Sequence, residues 1–271
     1  MSDAVVKALS ELVPGGVTLG ELDRGGGRAL RWVEAGTGGP TVVLDAAAGT
    51  PALTWAPILP ALAGHVRVVA YDRAGLGMSD PAPRLSAASA VADLTALLKE
   101  TGQGPCVLVG NSWGGQLAQH LAWTATELVA GLVLVDPAHE DFDPLLGRIM
   151  ESAFRQLLVL HRAVGSIERA LRKPAVRSAV EVTDDPRLQD LLVQADLACY
   201  ARDHQIRTAM AETRVPLRLR ERWTKLQAQI AAEAVQGEHR VVRGAGHYIH
   251  RSRPAAVTEA VLAVIERART R

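Results

Sequence analysis

Four short apolar runs constrain this chain more than anything else in it: "PTVVLDA" (residues 40–46), "HVRVVAYD" (65–72), "CVLVG" (106–110) and "GLVLVD" (131–136). Each is too short for a helix, and the segments between them carry helical periodicity. Strands that lack polar alternation are buried on both faces, so helices must cover both sides of their sheet. "SAASAVADLTALLKETG" supplies one such helix, with Val91, Leu94, Leu97 and Leu98 on one face and Gly102 just past its end. "GVTLGEL" and "RALRWVEAG" read as an opening hairpin, and "WAPILPALAG" as a short helix between the first two apolar runs. The expected architecture is an α/β fold with a mostly parallel central sheet flanked by helices.

After Pro137 the alternation stops. From His139 to about Thr213 the pattern is helical, punctuated at Gly165, Pro174 and "TDDPRL". A stretch this long without a clear strand, set between two β/α halves, reads as an inserted helical cap. The expected division is a core of residues 1–137 and 214–271, with a cap of residues 138–213. The sheet pattern resumes at "VPLRL" and "HRVVRGAG", and the chain ends in the helix "PAAVTEAVLAVIERAR".

Composition removes several function classes. The formal net charge is +1, from 30 basic and 29 acidic residues, so no global field favours nucleic acid or an anionic membrane. No apolar run approaches the length of a membrane span. Cys106 and Cys199 are too few for a disulfide framework or a zinc cluster, and Cys106 reads as a buried, inert thiol. The N-terminal stretch carries Asp3, Lys7 and Glu11 within its apolar pattern and lacks a signal-peptide core. A cytoplasmic protein with a small-molecule partner is expected; oligomeric state is not legible.

The chemistry gathers around Gly110-Asn111-Ser112-Trp113-Gly114, a G-x-S-x-G stretch between an expected strand and an expected helix. A serine that projects above a sheet edge sits in strained backbone, normally at φ > 0. The chain then passes so close to its neighbours that positions two before and two after must be small, hence Gly110 and Gly114. A helix N-cap serine would account for Ser112 but not for the glycines around it. A hydroxyl is a weak nucleophile and needs a base. "RGAGHYIHRSRP" offers His247 on a glycine-permitted loop; His250 reads as a loop residue near the pocket. A tetrahedral intermediate also needs an oxyanion hole. The Trp113 N–H is one candidate donor, and Ala48, in the small-residue loop "AAAGTPALTW", is the other.

Taken in order, "LDAAAGTPALTW", "YDRAGLGMSD", "GNSWGG", "LVLVDPAHED" and "GAGHYIHRSRP" resemble the α/β-hydrolase fold superfamily, in its serine hydrolase branch. The resemblance spans nearly the whole chain and departs from the usual pattern at Ala46-Ala47, where such loops carry His-Gly. It implies that His247, matching GxGHxxxxxxP, is the base, and that Asp72, Arg73, Gly75 and Gly77 shape a structural loop near the site. It also implies a chain order of serine, acid, histidine. The acid commonly follows the seventh strand, but no aspartate lies between Asp203 and His247. Some relatives place it after the sixth strand, where Asp136 stands 24 residues beyond Ser112. Asp136 is therefore favoured, with Glu221 as the alternative acid and a plain Asp-Pro turn as the non-catalytic reading.

The implied activity is a serine hydrolase acting on an acyl substrate (ester, thioester or lactone) through a Ser-His-Asp triad and an acyl-enzyme. No metal or organic cofactor is implied. Ser112 argues against haloalkane dehalogenase and epoxide hydrolase chemistry, whose relatives of this fold carry aspartate there. Two alternatives share the fold: an acyl transferase, cyclase or thioesterase of a biosynthetic pathway, and a low-turnover ligand-binding protein.

Overall fold

The computed structural model describes residues 2–137, 182–212, 237–238, 240, 242–245 and 247–270. The chain opens with α1 (Ser2–Leu12) and the hairpin β1 (Thr18–Asp23) and β2 (Ala29–Ala35). Next come β3 (Val42–Asp45), a 3-10 turn at Ala52–Trp55, α2 (Leu59–Ala63) and β4 (Val68–Asp72). These lead to α3 (Ala87–Thr101), β5 (Cys106–Asn111), α4 (Trp113–Thr124) and β6 (Val129–Val135). Further on lie α5 (Pro186–Tyr200), α6 (Asp203–Glu212), α7 (Ile249–Ser252) and α8 (Pro254–Arg269).

The strands form one sheet in the order β1-β2-β4-β3-β5-β6. β2 pairs antiparallel with β1 and β4; β3 pairs parallel with β4 and β5, and β5 with β6. Every residue of β3, β4 and β5 is buried, as their unbroken apolar runs require. Side chains alternate between the two faces. Val42, Leu44, Val68, Ala70, Val107 and Val109 pack towards α1, α2 and α8. Val43, Val69, Tyr71 and Leu108 pack towards α3 and α4. Ser86 caps α3 through a reciprocal pair of bonds with Ser89, and Leu94, Leu97 and Leu98 form its buried stripe.

Of the segment expected to form a cap, residues 182–212 are described, and they carry the two helices α5 and α6. Both helices lie against the rest of the fold. α5 buries Leu192 and Ala195 in the cluster that holds Val5, Ala8 and Leu9 of α1. α6 lies across the loops that follow β3 and β4: a Cβ on Gly49 would stand 2.6 Å from the Ala209 Cβ. Residues 138–181, the "VPLRL" run and Glu221 lie outside the described residues.

Two local expectations are corrected. "HRVVRGAG" is not a strand at its described positions: Arg240 and Val242 lie outside any strand, and the Ala245 N–H donates to the Val242 carbonyl at 3.3 Å in a turn. Gly244, at φ +70°, lets that turn close, so backbone groups that a ladder would pair are satisfied locally. His250 is not a pocket-lining loop residue. It sits in α7 with no exposed surface, its ring 4.1 Å from the Trp55 ring and its Nε2 3.0 Å from Thr54 Oγ1. Cys106 is buried as expected, and burial pushes its thiol up to about 11. Among the described residues no helix is long and apolar enough to cross a membrane.

Burial, aided by the Arg251 and His247 charges, pushes the His250 imidazole down to about 3. Its folded-state pKa lies below the unfolded value, so below about pH 6.5 the unfolded chain binds a proton that the folded chain does not. This contribution to stability falls as pH falls, by about 2 kcal/mol between pH 6.5 and pH 5. Asp72 and Asp196, each held at about 6 chiefly by burial, titrate with the opposite sign. The comparison of wild type with His250→Phe by urea unfolding at pH 7 and pH 5 therefore isolates the histidine. The expected outcome is that the variant loses about 2 kcal/mol less than wild type over that interval.

Candidate active site

The ends of β5 and β6 build the centre of the site. Their parallel register sets Asn111 opposite Val135, so the next residue on each strand, Ser112 and Asp136, leaves the sheet edge beside the other. The Ser112 N–H donates to the Val135 carbonyl at 3.2 Å. Ser112 has φ 51° and Asp136 φ 41°, and among the described residues these are the only non-glycine positions with positive φ. Such conformations cost on the order of 1–3 kcal/mol each and persist where the surroundings impose them.

The surroundings at Ser112 are glycines. A Cβ on Gly110 would collide with the backbone of Gly114 and Gly115. A Cβ on Gly114 would meet the carbonyls of Asp45 and Ala46 at the end of β3. α4 starts at Trp113 directly after the strained residue, and the Ser112 side chain makes no capping bond. The N-cap reading of this serine is thereby set aside.

His247 reaches the same edge from the turn before α7. Its Nδ1 lies 2.8 Å from Asp136 Oδ2, a contact between residues 111 positions apart in sequence. A carboxylate oxygen accepts, so the proton shared in this contact is carried by Nδ1, which leaves Nε2 turned away from Asp136. Sequence reasoning passed over Asn111, which is fully buried. Its Nδ2 donates to the Val135 carbonyl at 2.8 Å and to the His247 carbonyl at 3.2 Å, tying the histidine turn to the end of β6.

The loop after β3 forms the opposite wall. The Arg73 guanidinium, buried, donates to the Ala46 carbonyl at 2.6 Å, to the Ala47 carbonyl at 2.7 Å and to the Asp45 carboxylate. Its Nε and Nη2 each lie 2.9 Å from the Glu212 carboxylate of α6. Burial opposes this charge, but Glu212 and Asp45 outweigh it and hold the guanidinium above its ordinary pKa. The Trp113 indole is buried beneath Arg73, 4.8 Å from guanidinium carbon to ring, so its bulk packs inside the fold. Asp72 accepts the N–H groups of Ala52 at 2.7 Å and Met78 at 2.9 Å, which fixes both loops to the end of β4. Ala48, between these anchors, is partly exposed. Ser112, Asp136, His247, Trp113 and the Ala48 loop are thus brought to one edge of the sheet, whereas Glu221 is outside the described residues.

The alpha/beta hydrolase family matches residues 39–260, and the chain belongs to that family. It is similar to Lipase LipV of Mycobacterium tuberculosis, 43% identical over 74 residues, covering 27% of this chain and 28% of that protein. It is also similar to a soluble epoxide hydrolase of Corynebacterium sp., 32% identical over 113 residues, covering 41% of this chain and 38% of the relative. These alignments span less than half the length of the curated relatives. Among solved structures, the epoxide hydrolase CorEH superposes with a TM-score of 0.70 at 19% identity, covering 92% of this chain and 98% of that one. That likeness establishes the fold.

Gly114→Ala puts a methyl group against rigid backbone. It is expected to lower stability by about 1–3 kcal/mol, read as a shift in the urea unfolding midpoint at unchanged slope.

Proposed function

We propose that this hydrolase cleaves an acyl substrate (ester, thioester or lactone) through Ser112, His247 and Asp136. The observation that carries the reading is the 2.8 Å bond between His247 Nδ1 and Asp136, made beside a serine held at φ 51°. Together they supply a nucleophile, a base in the required tautomer and a carboxylate that orients it.

His247 Nε2 takes the Ser112 proton as Oγ bonds to the acyl carbonyl carbon. The carbonyl oxygen becomes an oxyanion, held by the Trp113 N–H and by the Ala48 N–H across the site. His247, now an imidazolium stabilised by Asp136, gives the proton to the leaving group as the tetrahedral adduct collapses to an acyl-enzyme. Water, deprotonated by His247, then attacks the acyl carbon, and the second adduct releases the acid and restores Ser112. Every proton taken in one step is returned in the next, so one acyl substrate and one water become the acid and the protonated leaving group.

A hydroxyl at the elbow suits acyl transfer, since an acyl-serine is an ester that water can resolve through the same base. Similarity to epoxide hydrolases supports the fold on which this chemistry runs, and the elbow residue supports the choice of bond.

The reading is tested with a fluorophosphonate probe and a panel of short p-nitrophenyl esters. Wild type should be labelled once, Ser112→Ala not at all, and Asp136→Asn should lose about four orders of magnitude in turnover through the wrong imidazole tautomer. Near-normal turnover in Asp136→Asn would remove Asp136 from the mechanism. Absence of both labelling and ester hydrolysis in wild type would overturn the reading altogether.

A further inference from the structure

α6 grips the loop after β3 at both ends of one residue. The Gly49 N–H donates to Glu212 Oε2 at 2.7 Å, and the Gly49 carbonyl accepts from Gln205 Nε2 at 3.0 Å. Gln205 and Glu212 stand seven positions apart, two turns of one helix and so on one face. Both are buried. Buried polar side chains on a helix are costly unless their bonds are made, and here those bonds go to backbone of the site.

The grip extends to the neighbouring loop. Gln205 Oε1 accepts the Gly77 N–H at 2.6 Å, and the Arg202 guanidinium donates to the Gly77 carbonyl at 3.0 Å. His204 Nδ1 lies 3.1 Å from the Gly75 carbonyl. Glu212 is also the carboxylate that holds Arg73, and Arg73 holds the carbonyls of Ala46 and Ala47. The Thr50 N–H turns back to the Ala47 carbonyl at 3.1 Å. The peptide groups on either side of Ala48 are therefore oriented by α6 and by Arg73, while its own N–H is outside this set of bonds. Gly49, at φ +69°, allows the loop to lie within reach of α6, against Ala209.

We propose that Glu212 and Gln205, acting with Arg73, are positioning residues that aim the Ala48 N–H at the oxyanion. The proposal rests on the serine hydrolase reading above. Its chemistry is specific: an oxyanion donor works only if it points at the developing charge before the charge forms. A loop rich in alanine and glycine has little conformational preference of its own, so its direction must be imposed from outside. Sequence reading assigned Arg73 a structural part and placed the α6 segment in the expected cap; these contacts give both a task at the reacting centre.

The test follows the rate of Ser112 phosphonylation, because the phosphonyl oxygen occupies the oxyanion position and no natural substrate is required. Gln205→Met removes both amide bonds without stranding a charge. It is expected to lower the maximal labelling rate about 10-fold or more, with the probe's initial binding constant and the pH midpoint of labelling unchanged. Glu212→Ala should lose more, and Glu212→Gln, which still offers Gly49 an acceptor, should fall between Glu212→Ala and wild type. A purely structural role would lower the fraction of protein labelled at completion and the thermal midpoint, but not the rate of the folded fraction. If Glu212→Ala does not fold, Gln205→Met and Glu212→Gln carry the test. Labelling of both at the wild-type rate overturns the positioning role alone. A wild type that is not labelled overturns the hydrolase reading and this proposal with it.

Discussion

β5 and β6 run parallel from Val107 opposite Gly131 to Asn111 opposite Val135, and the site depends on where that ladder stops. Adjacent strands lie about 4.8 Å apart, so two residues leaving the sheet at the same level begin within reach of a shared partner. Here those residues are Ser112 and Asp136, both turned into positive φ. The ladder bears the cost of that strain. Its bonds, the buried Asn111 side chain and the glycine contacts against α4 leave the backbone no cheaper course.

The second organising interaction is the buried charge at Arg73. A guanidinium deep in a protein is tolerable only when its donors are met, and a partner's removal costs about 3–5 kcal/mol because an unpaired charge stays behind. Arg73 meets two carboxylates and two carbonyls from three separate parts of the chain: the end of β3, the loop after it and the end of α6. Such a hub ties elements distant in sequence into one geometry. It holds the wall of the site facing Ser112, just as Asn111 ties the histidine turn to the floor.

Much of this was legible from local pattern. β3, β4 and β5 are fully buried, and a fully buried strand must read as an unbroken apolar run. The elbow was legible because steric crowding leaves only glycine at 110 and 114. "HRVVRGAG" misled because a short apolar dipeptide between arginines fits a strand or a turn equally, and Gly244 favours the turn. His250 misled because a histidine beside a catalytic-looking histidine shares its loop but not its environment; stacking on Trp55, 195 positions earlier, removes it from solvent. Gln205 and Glu212 carried no signal at all. On a helix they look like ordinary polar positions, and only the close approach of Gly49 makes them buried ligands of a backbone.

By itself the sequence determined the order of strands and helices from β1 to β6, the strained serine and the choice of residue types for the chemistry. These follow from local sterics and periodicity, which act over a few residues. The tertiary structure alone decided that Asp136 meets His247, that Arg73 joins β3 to α6, and that α6 grips Gly49. Those contacts join residues more than 100 positions apart, and the distance and direction between such groups are set by how the sheet twists and the helices pack. No short-range preference encodes them.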